Sequence, residues 1–411
     1  MSLGALSPRL KRLVDHLWGS DDVIVTLSDR CPPGYRAIES YAIVPYANKA
    51  EFLVPLTAGR TTAARSLTAY RMLRPMSVRF TRLGVAAAVR LHAIPITSQQ
   101  LTIFVRRDVS DVDLPAVSPT HWLSQRLGTD RLVAALAVPA LAPNAKPTLQ
   151  LFSEKGDPAG YAKFSWNEST REQVRAEAAA VIRVAPKLST IDVPACLWSG
   201  QWGGFDVIVT APMPTDATAW AGSRAPSLEI VEDVARTSRM NTARLPDSAI
   251  VQRIAAMVQD GGARLDPALR HALHRAVETV GERWPHLELR EGTWHGDWVP
   301  WNMATASGRT VVWDWEHSRE GVPVGLDLLH WHFQHGFIAE KVSLEESLRR
   351  MRSGGTKGVG QLQGSSEAAE ACADLYSLEI CARYLAMQAA GSGWAPRFYP
   401  DALTVLARLT S

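Results

Sequence analysis

The segment WHGDWVPWN (294–302) constrains this chain more than any other. It sets His295, Asp297 and Asn302 among Trp294, Trp298 and Trp301. A second aromatic stretch, TVVWDWE (310–316), adds Asp314 and Glu316. Polar groups in such company lose water and need partners, either each other or a ligand. A core segment with incidental polar residues is one reading, and a catalytic loop is the other. On the second reading, a loop and the strand after it fold Asn302 and Asp314 onto one point.

The rest of the chain sets the frame. Its 411 residues suffice for two or three domains. With 44 basic and 41 acidic residues the net charge is +3, too balanced to imply a nucleic-acid or membrane partner. Cys31, Cys196, Cys372 and Cys381 are scattered without a CxxC pair, which argues against a disulfide framework or a zinc site. The first eighteen residues lack the apolar core of a secretory signal, and LVAALAVPALAP (132–143) is too short to span a bilayer. We therefore expect a cytoplasmic protein; the oligomeric state is not legible.

Before residue 115, β-branched runs at 22–27, 41–46, 50–56 and 101–105 read as strands, and 59–73 as a helix. No chemical motif appears there, so 1–115 reads as an additional N-terminal α/β domain or cap. The polar, proline-bearing run 107–119 reads as a linker. Residues 131–139 read as a strand, although their alanines leave a helix open, and 147–166 as a hairpin turning at KGDPAG. The alanine-rich run 169–184 reads as a helix, with Ser169 as its cap and Glu172 at capping-box spacing. Helices are expected at 247–262, 267–284 and 367–391, and a flexible loop over the glycine-rich 353–366.

Asn and Asp oxygens are hard ligands suited to Mg²⁺. Asn302 and Asp314 form such a pair, and Asp297 is left to take a proton from an attacking hydroxyl. A base beside a magnesium pair is what phosphoryl transfer requires. Nucleotide phosphates also need a cation, and Lys163 lies in the expected strand GYAKF with Glu177 in the helix that follows. A strand lysine aimed by a helix glutamate is the ion-pair arrangement of kinase folds.

HGDWVPWN, followed by VVWDWE and GVPVGLDL (321–328), resembles the aminoglycoside phosphotransferase and choline kinase group of protein-kinase-like enzymes. The resemblance covers roughly residues 130 to 411. It implies an α+β, protein-kinase-like bilobal fold, with a small β-rich N-lobe over 116–213 and a larger helical C-lobe over 214–411. It further implies ATP as co-substrate and Mg²⁺. Asp297 then matches the base, Asn302 and Asp314 the metal ligands, and Lys163 with Glu177 the phosphate-binding pair. His295 is expected to brace the loop or act in catalysis, and Glu316 to bind the metal through water or to support the loop. Asp327 is expected to tie the loop to the helix after it. The hinge, offering backbone groups to adenine, falls near Thr210, Ala211 and Met213.

Two departures stand out. The turn PALAPNAKP (139–147) has no glycine where protein kinases use a glycine-rich loop, which leaves Asn144 and Lys146 as candidate phosphate contacts. Gly296 stands where protein kinases carry arginine, which favours a small-molecule acceptor over a protein. A sugar or aminosugar is the first expectation, then an aminoglycoside or other antibiotic, then choline. A pseudokinase or nucleotide-binding scaffold is the competing class. A metal-dependent hydrolase built on His295 and Asp297 is a third, weakened by the scarcity of His and Asp clusters.

Overall fold

The computed structural model describes residues 6–73, 76–90, 99–142, 144–220, 225–260, 266–389 and 399–410. They form an α+β protein of two compact units: residues 1–141, 145–178 and 194–219, and residues 142–144, 179–193 and 220–411. The last two residues of each of the expected helices 247–262 and 367–391 lie outside the described residues.

The first unit begins with α1 (Pro8–Trp18), β1 (Val23–Thr26), β2 (Tyr35–Val44), β3 (Phe52–Pro55), α2 (Gly59–Thr68), α3 (Met76–Arg90) and β4 (Gln100–Arg106). It continues through α4 (Leu114–Val117), α5 (Pro119–Leu127), β5 (Leu132–Ala137), β6 (Thr148–Ser153), β7 (Pro158–Phe164) and α6 (Glu168–Val184), of which residues 168–178 belong to this unit. After β8 (Ile191–Asp192), which belongs to the second unit, come β9 (Cys196–Trp202), β10 (Phe205–Thr210) and β11 (Thr218–Ala219).

Among the described residues a nine-stranded sheet runs in the order β1-β4-β2-β3-β5-β6-β7-β10-β9, with its paired neighbours antiparallel. Phe52 and Leu53 of β3 pair with Ala137 and Leu136 of β5, so strands from before and after residue 115 share this sheet. Their common apolar face explains the joining. Leu53, Leu101, Ile103, Leu136, Leu149 and Phe164 form one core with Leu10, Leu13 and Leu17 of α1.

Buried Glu39 on β2 accepts hydrogen bonds from the Tyr41 and Thr120 hydroxyls, both at 2.6 Å, and from Ser118. That clasp ties α5 to the sheet. The stretch 107–119, expected as a linker, instead carries α4, whose Leu114 and Val117 are buried. The expected cap at Ser169 is also corrected: α6 starts at Glu168, and Asn167 Oδ1 accepts from the Thr170 N–H at 2.9 Å.

The second unit contains α7 (Leu228–Ala235), β12 (Asn241–Arg244), α8 (Ala249–Asp260), α9 (Pro267–Arg283) and β13 (Glu288–Trp294). Then follow β14 (Met303–Ala306), β15 (Arg309–Val312), β16 (Arg319–Pro323), α10 (Leu326–Gln334), α11 (Leu344–Gln363), α12 (Ser366–Ala389) and α13 (Tyr399–Leu409). Strand β13 lies between β12 and β16, antiparallel to both. Strands β14 and β15 form a hairpin, with β8 parallel to β15. Helix α12 runs through the core, burying Cys372, Leu375, Tyr376, Leu378, Ile380 and Cys381. No helix among the described residues is long and apolar enough to cross a membrane.

The glycine-rich run 353–366 is not a loop: its residues through Gln363 belong to α11. A Cβ at Gly355 would sit 2.7 Å from Leu329, and one at Gly358 would sit 2.9 Å from Leu328. Both leucines are on α10. The glycines let α11 approach α10 closely, and that packing outweighs their poor helix propensity.

Candidate active site

The loop leaves β13 after Trp294 and returns through a 3-10 turn at Pro300–Asn302 into β14. Its backbone is pinned from α10. Asp327 Oδ2 accepts the His295 N–H at 2.8 Å, and Oδ1 accepts the Gly296 N–H at 2.9 Å. Burial pushes the Asp327 carboxyl up to about 6, against those two bonds, which favour its charged form. Gly296 turns with φ +81°, and a Cβ there would run into the His317 carbonyl oxygen. That is why the motif needs glycine at this point.

His295 is fully buried, with its ring edge-on to Trp298 and Trp315. Its Nδ1 accepts the Asp297 N–H at 3.1 Å, so the ring proton sits on Nε2 and is donated to the Trp313 carbonyl at 3.0 Å. Burial lowers its pKa to about 4, so the ring is neutral at neutral pH. With each ring nitrogen bonded within the loop and its neighbour strand, His295 braces the turn.

The Asp297 side chain is 25 % exposed and is gripped from two sides. Asn302 Nδ2 donates to Oδ2 at 2.9 Å and to the Asp297 carbonyl at 3.1 Å. Both acceptors are oxygens, so the amide orientation is fixed and Asn302 Oδ1 faces away from Asp297. His330 Nε2 lies 3.0 Å from Oδ1. Burial alone would raise the Asp297 carboxyl, but the hydrogen bond from His330 and the nearby Arg383 guanidinium favour its charged form. The carboxyl is held well below the usual carboxylate range.

Asn302 and Asp314 flank the open end of the β14–β15 hairpin. Met303 pairs with Val312, and the Trp313 N–H donates to the Asn302 carbonyl at 3.1 Å, which leaves Asp314 as the next residue. Asp314 takes a left-handed φ of 68°, turning the chain out of the strand into the 3-10 turn at Trp315–His317. Glu316, in that turn, lies 3.6 Å from His317 Nε2.

Three participants were not read from the sequence. His330 stands one turn after Asp327 on α10, so one helix face reaches both the loop backbone and the Asp297 carboxylate. The Tyr376 hydroxyl of α12 lies 2.9 Å from His330 Nδ1. Arg383, two turns further along α12, donates to the Gly296 carbonyl at 2.6 Å and lies over the Trp294 ring. Glu379 receives both Arg253 and Arg383. The i,i+3 spacing from Asp327 is the signal by which His330 could have been found; nothing in the sequence separated Tyr376 and Arg383 from other core positions of a long helix.

Four of the six tryptophans between 294 and 331 are core: Trp294, Trp298, Trp315 and Trp331 are buried. Trp301, beside Asn302, is 47 % exposed.

In the first unit, Lys163 of β7 and Glu177 of α6 form an ion pair, with Nζ–O distances of 2.7 and 2.8 Å. The partners are only 18 % and 3 % exposed. Glu172, five residues before Glu177 on α6, faces solvent. Lys146 donates to Gln173 Oε1 at 2.9 Å, and Asn144 lies half-buried in the turn between β5 and β6. At the expected hinge, Thr210 closes β10, the Ala211 N–H donates to the Ala195 carbonyl, and the Met213 carbonyl accepts from the Tyr70 hydroxyl. The Ala211 N–H is thereby spent within the protein, whereas the Met213 carbonyl keeps a second lone pair.

No protein-family model and no curated protein matches this chain. Among solved structures, it is similar to an aminoglycoside phosphotransferase, APH(4)-Ia, at 13% identity and TM-score 0.46, over 70% of this chain and 95% of that one. It is similar to the amicoumacin kinase hAmiN, solved with AMP-PNP, Ca²⁺ and Ami, at 14% and 0.41, over 64% and 84%. A choline/ethanolamine kinase family protein from Mesorhizobium loti stands at 18% and 0.39, over 68% and 87%. At such identities and TM-scores, none of these bears on what this chain acts on.

Proposed function

We propose that this protein is an ATP-dependent phosphotransferase that moves the γ-phosphoryl group of ATP to a hydroxyl of a small molecule. The observation that carries this reading is the Asp297 carboxylate. It is ionised, partly open to solvent and clasped by Asn302 Nδ2 at 2.9 Å and His330 Nε2 at 3.0 Å. Such a group orients an acceptor hydroxyl and takes its proton as the phosphorus–oxygen bond forms. Its low basicity suits a loose transition state, where the hydroxyl proton is lost late and positioning supplies most of the rate.

The donor set beside it fits a divalent cation. Asn302 Oδ1 is turned away from Asp297, and Asp314 supplies a carboxylate at the same hairpin end. Both are hard oxygen ligands, so Mg²⁺ is the natural ion, with Glu316 nearby as support. When bound, the ion would neutralise charge on the nucleotide phosphates. Lys163, aimed by Glu177, offers the phosphates a fixed ammonium, and the region around Thr210, Ala211 and Met213 is the proposed place for adenine.

For the acceptor, exposed Trp301 beside Asn302 offers a flat apolar wall of the kind that stacks on a sugar ring. A sugar or aminosugar is therefore our first reading. A screen of sugars, aminosugars, aminoglycosides and amino alcohols, reading ADP formed from Mg·ATP, tests it. Acceptor-dependent ADP is expected from a sugar or aminosugar. Nucleotide binding without turnover on any acceptor would instead support a scaffold.

A further inference from the structure

The Asp297 carboxylate does not stand on the loop alone. Asn302, from the same loop, holds one of its oxygens, and the other is held by His330, thirty-three residues further along the chain. A carboxylate rotates broadly about its last torsion. One donor leaves that rotation open, whereas donors on both oxygens fix the plane and therefore the direction of the remaining lone pairs. The donor on Oδ1 must carry a proton, so His330 bears its hydrogen on Nε2. Its Nδ1 then has to accept, and the Tyr376 hydroxyl lies 2.9 Å from it.

The ring and the phenol are both buried, and burial lowers the imidazole pKa and raises the phenol pKa. Neither has water to replace a lost partner. The chain Tyr376 O–H to His330 Nδ1, and His330 Nε2–H to Asp297 Oδ1, allows a single arrangement of protons.

We propose that His330, set in its tautomer by Tyr376, is the positioning residue that fixes the Asp297 carboxylate toward the acceptor hydroxyl; this rests on the reading of Asp297 as the base. Helix α10 thereby serves the loop twice. Asp327 holds the backbone at His295 and Gly296, and one turn later His330 holds the side chain of Asp297. A residue present only for packing needs no N–H, and an apolar side chain of similar volume would fill the space. The N–H on Nε2 is what separates the two roles.

The test uses the full chain with Mg·ATP as probe and phosphate release to water as the reaction. It compares the parent with His330→Leu, His330→Gln, Tyr376→Phe and Asp297→Asn. His330→Leu should lower kcat by about 10–100-fold with KM for Mg·ATP unchanged, the scale of a misplaced reacting group. His330→Gln, which keeps an N–H near the position of Nε2, should recover most of the loss. Tyr376→Phe should fall between them.

A His330→Leu protein as active as the parent, or a His330→Gln protein as poor as His330→Leu, would overturn the proposal. Where His330→Leu fails to fold, His330→Gln and Tyr376→Phe carry the comparison. Asp297→Asn separates the two claims. Full turnover in that variant removes the base itself, whereas a dead Asp297→Asn beside an intact His330→Leu removes only the positioning role. Independently of turnover, ¹⁵N spectra of the histidine ring should show His330 neutral with its proton on Nε2, and a proton on Nδ1 alone would contradict the chain of bonds.

Discussion

Lys163 and Glu177 meet in a two-pronged ion pair, with the ammonium nitrogen 2.7 and 2.8 Å from the two carboxylate oxygens. Both side chains are largely out of water, so each is costly without the other. If the pair serves nucleotide phosphates, Lys163→Met should raise the KM for Mg·ATP and lower kcat. Glu177→Ala should do the same less severely, because the ammonium remains but loses its aim. The double variant should cost little more than Lys163→Met alone, with a coupling energy of roughly 0.5–3 kcal/mol. Additive losses across that cycle would show that the two do not act as a unit.

Asp327 ties pH to stability. Its carboxyl is pushed up to about 6 in the fold, whereas an unfolded aspartate titrates near ~3.9. The folded chain therefore binds this proton more tightly than the unfolded chain. Its contribution is full below about pH 4 and is lost as pH rises through 6, on the order of 2–3 kcal/mol. Asp327→Asn should remove that slope from a plot of Tm against pH between 4 and 6. It should also lower Tm overall, because an amide offers one oxygen to the two N–H donors of His295 and Gly296. An unchanged slope would assign the pH dependence to another group.

Much of this site was legible because its chemistry is local in sequence. Asp297, Asn302 and Asp314 lie within one loop and hairpin, and the strand–helix step from Lys163 to Glu177 is short. Asp327 on α10 was legible from its motif, whereas His330, Tyr376 and Arg383 were not read, since they reach the loop only through tertiary packing. The α11 glycines misled for the same reason: Gly355 and Gly358 answer to Leu329 and Leu328 on another helix. The cap of α6 shows a finer limit. Asn167 and Ser169 are both good capping residues two positions apart, and the capping-box spacing to Glu172 pointed to the wrong one.

Gly296→Ala should be far more damaging than an ordinary glycine replacement. The residue sits at φ +81°, and its missing Cβ makes room for the His317 carbonyl oxygen. We expect a loss of about 1–3 kcal/mol from the backbone alone, read as a drop in Tm, and loss of turnover with it. Gly308, also at positive φ but with open space around it, is the control and should lose less.

Trp301 and Trp298 should separate binding from stability. Trp301 is half in solvent, so Trp301→Ala should leave Tm within a degree or two while raising the KM of the acceptor found in the screen. Trp298 is wholly buried, and Trp298→Ala should cost about 3–5 kcal/mol. An acceptor KM unmoved by Trp301→Ala would place the acceptor elsewhere.

The most direct test of the account is Asp297→Asn, assayed for phosphoryl transfer and, separately, for Mg·ATP affinity by calorimetry. The change keeps the side chain's size and removes its charge and its ability to take a proton. The account predicts a fall in kcat of about 10²–10⁴-fold with Mg·ATP affinity within a few-fold of the parent. Transfer at the parent's rate in the Asp297→Asn protein would contradict it.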